Sequence, residues 1–381
     1  MRSNLKIAFL TATNPNDKTS WSGIHYKMLE GLKEHFEVVD VIGPINSIFI
    51  KALGSINRIT RFLFSKGYNH KNSILKSYFS SLIIKKRLKK NNYDFIFAPA
   101  ASTEVAFLKT TIPIFYCSDS SFGQLNEYYE TYSELFSFSI KESNYIEKKA
   151  IQQSAILSYP SNWAANYVKE KYKPKGFVTV NAFGANIDTI NYQTKYIDKN
   201  QTITILFLGV EWQRKGGDIV FETFLQLREK HNVKLVVCGC IPPMKHPYME
   251  VIPFLNKNES TDFKKFTSLL EQAHFLFVPS QSECFGIVFC EASAYGIPSI
   301  SRNTGGIGGA IKNGINGFCL NENATPNQYA DVMEDLIENP LKYEALSKSA
   351  RQLYIEELNW KKWSESVYNL INNHKNNFFE S

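Results

Sequence analysis

The sequence contains no run approaching the roughly 20 apolar residues that a membrane-spanning helix needs. The basic start at Arg2 leads only the short stretch Leu5–Leu10, too brief for a secretory leader. Cysteine is sparse: Cys117, Cys238, Cys240, Cys284, Cys290 and Cys319 are scattered, and five of the six sit in apolar runs. Only Cys238 and Cys240 lie close together, and no matching Cys or His pair follows at zinc-binding spacing, so no metal site is expected. The pattern suits buried free thiols in a reducing compartment. These absences lead us to expect a cytoplasmic protein, soluble or peripheral at the inner face of a membrane.

Acidic residues are missing from one whole stretch. Between Asp40 and Asp94 there is none, whereas residues 51–90 carry eleven of the Lys and Arg that give the chain its net charge of +7. Phe49, Ile50, Leu53, Ile56, Ile59, Phe62, Leu63 and Phe64 interleave with the first of these cations. Such a segment is either a solvated basic helix face or a patch that rests on an anionic membrane or an anionic polysaccharide. No nucleic-acid-binding motif accompanies the charge, so nucleic acid is not an expected partner.

What is present is a globular composition, 44% hydrophobic and 21% charged, in 381 residues, too many for one comfortable core. Leu5–Leu10, Glu37–Ile42, Asp94–Ala98, Ile112–Cys117 and Ala155–Tyr159 read as strands, with helical patterns at Ile24–Glu34, Leu75–Leu88, Tyr128–Gln153 and Asn162–Lys171. The rhythm restarts after a polar stretch at Asp188–Gln201. Strands are expected at Thr202–Gly209, Val233–Gly239, near Val251, at His274–Pro279 and at Pro298–Ser301, alternating with helices at Asp218–Lys230, Thr261–Gln272 and Ile287–Tyr295. Strands apolar throughout suit parallel sheets covered on both faces. The expected fold is therefore α/β, with two Rossmann-like doubly wound domains facing each other across a cleft. Residues 1–188 would form the first domain and residues 189–359 the second, with a last helix at 360–381 that could return to the first.

Two segments at expected strand ends carry unusual chemistry. The first runs Gly209-Val-Glu-Trp-Gln-Arg214-Lys215-Gly216-Gly217. Adjacent cations followed by glycines at a helix start suit a diphosphate, through a guanidinium fork, a point charge and exposed N–H groups. The Walker spacing is absent, and no Ser or Thr follows Lys215 to hold magnesium. The second segment is Glu283-Cys-Phe285-Gly286-Ile287-Val-Phe-Cys-Glu291. Val288, Glu291, Ala292 and Tyr295 share one helix face, which leaves Glu291 in an apolar stripe. An unpaired carboxylate there is costly, so it should face a cleft and hold hydroxyls or cations.

Here a family resemblance becomes specific. Glu283-x-Phe-Gly-Ile-Val-x-x-Glu291-Ala-x-Ala-x-Gly-x-Pro298 resembles the signature of retaining glycosyltransferases of family 4, which have the GT-B fold. Gly305-Gly306-Ile307, Ser161-x-Trp163-Ala-Ala165, Phe183-Gly-Ala-Asn-Ile-Asp188 and Trp21-Ser22-Gly23 extend the likeness along nearly the whole chain.

The resemblance implies a metal-independent hexosyl transfer from a nucleotide sugar to a glycan or lipid-linked acceptor, in cell-surface polysaccharide synthesis, with no cofactor. Glu291 would hold the ribose hydroxyls and Glu283 the hexose. The Phe285-Gly286-Ile287 backbone would lie at sugar and phosphate, with Arg214 and Lys215 on the diphosphate, Gly209 and Gly216 shaping that loop, and Gly23 approaching the donor. No Asp-x-Asp motif is present, in keeping with metal independence.

Two positions depart from the family. Val210 stands where many members have Arg, and Phe97–Glu104 lacks the usual His. Asp119 is then the acceptor-side candidate, against a role as helix cap, and His25 is a weaker one. A sugar-nucleotide epimerase of the same fold and a non-catalytic scaffold paralogue are the other readings.

Overall fold

The computed structural model describes residues 2–45, 55, 57, 58, 60–64, 66–129, 132, 134–187 and 192–379. Phe49, Ile50, Leu53, Ile56, Ile59 and Asp188 therefore lie outside the described residues. The chain divides into two compact units, Met1–Asn181 with Ser364–Ser381, and Ala182–Trp363.

The first unit is a six-stranded sheet of β1 (Ser3–Leu10), β2 (Phe36–Ile42), β3 (Phe95–Pro99), β4 (Ile114–Cys117), β5 (Ile156–Tyr159) and β6 (Phe177–Val180). Their order is β2-β1-β3-β4-β5-β6, with every pair parallel. Ile7, Ala8, Phe9, Ile96, Phe97, Ala98, Phe115 and Leu157 are fully buried. Strands buried on both faces cannot alternate polar with apolar, which explains the continuous apolar runs.

The second unit is also a parallel sheet of six. It contains β7 (Ile203–Leu208), β8 (Val233–Cys238), β9 (Met249–Ile252), β10 (Phe275–Phe277), β11 (Ser299–Arg302) and β12 (Gly317–Leu320), in the order β12-β11-β10-β7-β8-β9. This is the doubly wound arrangement, with its order reversing between β7 and β10. In the first unit the reversal falls between β1 and β3. Such switch points leave a crevice beyond the carboxyl ends of the two flanking strands, where ligands of these folds bind.

The structure differs from the sequence reading at several elements, among them strand β12 and the short helix Ser102–Val105, neither of which was expected. The single helix expected over Tyr128–Gln153 is two helices, Phe122–Tyr128 and Ser137–Gln153. Extended backbone at Tyr129 and Phe136 separates them, and Gly67 exchanges backbone hydrogen bonds with Glu134 and Phe136 in the gap. Strand β6 was not expected; it is an edge strand with Phe177 and Val180 exposed, so it lacks the all-apolar signature. The helices Pro326–Glu338 and Pro340–Glu356 were also not read. The first carries a capping box between Thr325 and Gln328 and a proline in its first turn, a start signal visible in the sequence.

Candidate functional site

In the second unit the two chemistry-bearing segments occupy the switch point: one loop follows β7 and the other follows β10. The β7 loop is pinned from below by Trp212. Its ring packs on Phe207 and under Gly217, and its indole N–H donates to Asp218 at 2.7 Å. Gly216 has φ +77°, and a Cβ there would lie 2.3 Å from the Pro279 carbonyl oxygen, so only glycine lets the two loops close on each other. Gly209 fits against the Lys215 stem.

The loops are then tied crosswise. Arg214 accepts from the Gln281 N–H at 2.8 Å, and its guanidinium donates to the Ser282 carbonyl at 3.0 Å and pairs with Glu211. Thr304 donates to the Gln281 carbonyl, and the Gly306 N–H donates to the Glu283 carbonyl. The Thr304–Ile307 turn is thus a second brace for the Glu283 loop. Lys215 and Glu283 meet directly as an ion pair, with 12% and 14% of their side chains exposed. A largely desolvated pair of this kind is expensive to break by removing one partner. Gly286 follows at φ +86° and opens the helix Ile287–Ala294, with Phe285 buried against Phe183.

Glu291 lies on that helix and is completely buried. The helix is enclosed from Phe289 to Ala294, so the carboxylate is held inside the unit. Lys257 Nζ reaches Glu291 Oε1 at 2.6 Å while lying 4.0 Å over the Phe266 ring. Burial pushes the Glu291 carboxyl above the usual range, and Lys257 and the Asn186 N–H pull the other way. Among the described residues the remaining oxygen, Oε2, has no hydrogen-bond partner. A buried acceptor left unsatisfied costs about 1–3 kcal/mol, so it is an open position for a donor.

Lys257 was not legible as a site residue. It sits in the polar loop after β9, 34 residues from Glu291, and only the fold brings the two together. Trp212 was legible as an aromatic beside the basic pair but was not singled out.

In the first unit Gly23 lies in the segment after β1 and Asp119 just beyond the carboxyl end of β4. Trp21, Ser22 and Gly23 take φ of +48°, +56° and +87° in succession, and Ala100, after β3, takes +46°. Left-handed backbone costs a non-glycine residue about 1–2 kcal/mol, and strain of this kind gathers where function holds it. Trp21 Nε1 donates to Asp119 Oδ2 at 3.0 Å, while Ser120 donates to Oδ1 at 3.2 Å. Asp119 is not a helix cap, because the cap position before Phe122 is Ser121.

His25 is buried, and the hydroxyl of Thr13 faces Nδ1 at 3.0 Å. Its Nε2 lies 3.2 Å from the Pro99 carbonyl and donates to it. Burial pushes its pKa down to about 4, against the Pro99 hydrogen bond, so the ring is neutral at pH 7. A depressed folded-state pKa means the unfolded chain binds more protons between about 4 and 6.5. Stability from this residue is therefore full above the upper value and is lost as pH falls. A shift of this size is worth roughly 3 kcal/mol. His25→Gln is expected to flatten the acid limb of the melting-temperature profile; an unchanged limb would show that His25 does not drive it.

Among the described residues, no three His, Cys, Asp or Glu side chains group to hold a metal ion, all six cysteines are free, and no helix is long and apolar enough to cross a membrane. Residues 189–353 match the family model of Glycosyl transferases group 1. An uncharacterized glycosyltransferase of Methanocaldococcus jannaschii is 26% identical over 58% of this chain and 60% of its own length. Thus the aligned part spans under two thirds of that relative. Sucrose-phosphate synthase from Thermosynechococcus elongatus superposes with a TM-score of 0.69 at 14% identity, over 99% of this chain and 100% of the other. An S. aureus MnaA–UDP co-structure superposes at 0.58 and 13% identity, over 98% of this chain and 97% of the other. At such identities the superpositions speak for the fold, two Rossmann-like units as in GT-B proteins. The family match supports a glycosyltransferase.

Proposed function

We propose that this chain is a retaining, metal-independent glycosyltransferase that moves a hexose from a nucleoside-diphosphate sugar to a hydroxyl of a glycan or glycolipid, in cell-surface polysaccharide synthesis. The observation that carries this reading is the second unit's switch point. There a lysine poised on a glutamate, a helix N-terminus and a buried carboxylate with one open oxygen stand at the ends of β7 and β10. The co-structure with UDP has the same fold, which supports a nucleotide donor.

In this reading Glu291 Oε2 accepts from a ribose hydroxyl while Lys257 neutralises Oε1. Lys215 exchanges Glu283 for the diphosphate, and Glu283 turns to hydroxyls of the hexose. Arg214 keeps the two loops in register. As the bond from the sugar to the leaving phosphate breaks, charge grows on the diphosphate, and Lys215 and the Gly286–Ile287 end of the helix stabilise it. Asp119, steadied by Trp21, is the acceptor-side carboxylate.

A thermal-shift panel of UDP-, GDP- and ADP-sugars tests the donor class: one base should raise the melting temperature, and no response to any would overturn the reading. Chelator is expected to leave turnover unchanged. Loss of turnover restored by magnesium would contradict the metal-free mechanism.

A further inference from the structure

The helix Ile74–Leu88 is packed inside out. Its buried stripe is Ser77, Ser80, Ser81, Ile84 and Leu88, set against the helices Ser102–Val105 and Ser137–Gln153. Ser77 donates to the Thr103 carbonyl, Ser81 to the Tyr78 carbonyl, and Ser80 Oγ has no partner among the described residues. The opposite stripe, at i, i+3, i+4 and i+7, is Leu75, Tyr78, Phe79 and Leu82, between 42% and 51% exposed. A helix that satisfied only its own domain would bury the leucines and expose the serines.

The same stripe continues into Lys85, Lys86 and Lys89, with Arg87 and Lys90 beside it, all exposed. None of these five cations forms a salt bridge among the described residues. The apolar surface extends sideways. Tyr78 meets Phe107 edge-on, and Phe107 meets the half-exposed Tyr145, with Lys149 4.6 Å over the Phe107 ring. At the basic end a depression of about 570 Å³ opens among Lys85, Lys89, Lys109, Thr110 and Thr111, with hydroxyls and ammonium groups together.

We infer that this face lies on an anionic lipid bilayer, with Leu75, Tyr78, Phe79 and Leu82 in the headgroup–acyl boundary and the lysines at the phosphates. An apolar stripe that runs on into unpaired cations matches the two layers a bilayer presents, oil and then negative charge. An anionic polysaccharide would use the lysines but offer nothing to the leucines. The inference does not depend on the donor reading.

The test is flotation of the full chain with vesicles of phosphatidylcholine alone and with phosphatidylglycerol added. Binding is expected only with the anionic lipid. Replacing Lys85, Lys86 and Lys89 by Gln should weaken partitioning roughly 100-fold. Leu75→Ser with Leu82→Ser should weaken it roughly tenfold or more. All five positions are on the exposed face, so both variants should melt with the wild type. Three results would each overturn the inference. These are no flotation with anionic vesicles, a dimer in sedimentation that the serine variant abolishes, and binding to a soluble anionic polysaccharide that competes with vesicles and ignores the leucines.

Discussion

Lys215→Ala is expected to lower turnover by about two to three orders of magnitude, the scale of removing one preorganised charge donor from a developing anion. Donor affinity should change far less. Lys215 is already paired with Glu283, so donor binding trades one anionic partner for another and gains little from the exchange. The gain comes as the leaving diphosphate takes on further charge, which is the condition for an interaction to raise turnover rather than binding. Comparing turnover with calorimetric affinity for the nucleotide sugar separates the two effects, and equal losses would reduce Lys215 to a ground-state contact.

Glu283→Gln gives an internal control of opposite sign. It removes the competitor for Lys215, so affinity for the free nucleoside diphosphate should hold or rise while turnover falls. If both variants lose diphosphate affinity alike, the ion pair is only a structural brace. The brace reading is the weaker one, because Arg214, Thr304 and Gly306 already hold the Glu283 loop without the ion pair.

The sheets were legible in the sequence because parallel strands are buried on both faces and must be apolar throughout. Leu5–Leu10 and Thr202–Gly209 announce themselves in this way; Phe177–Val180 does not, because an edge strand with exposed side chains has no such constraint. Loop chemistry was legible where backbone geometry restricts the residue: Gly216 and Gly286 mark the two loops, and the cations and carboxylates stand beside them. Partnerships across the chain were not legible. Nothing in spacing joins Lys257 to Glu291, or Trp21 to Asp119, because each pair joins segments that follow different strands of one sheet. Helix Ile74–Leu88 is a subtler case. Its periodicity was clear, but periodicity alone cannot say which stripe faces inward, and here the serines do.

Glu291→Gln is expected to weaken nucleoside-diphosphate binding by about 1.5–3 kcal/mol, the scale of a charge-assisted hydrogen bond. Among the described residues the buried carboxylate has one oxygen on Lys257 and one without a partner, so the desolvation cost of Oε2 is present before any nucleotide binds. A ribose hydroxyl that donates to it relieves that cost on binding. The amide keeps the shape but loses the charge and presents an N–H to one of the two positions. Alanine is the poorer probe, because it leaves the Lys257 cation half-enclosed and mixes lost stability with lost binding.

Lys257→Met isolates the other half of the pair. Without the cation, burial acts on Glu291 almost unopposed and pushes its carboxyl further above the ordinary range. Nucleotide affinity should then rise with pH as Glu291 ionises, over an interval that lies higher than in the wild type. Titration calorimetry at several pH values reads this directly. Undiminished affinity in Glu291→Gln with an unchanged melting temperature would remove the ribose from Glu291. An unshifted profile in Lys257→Met would mean that the lysine is not what keeps that carboxylate charged.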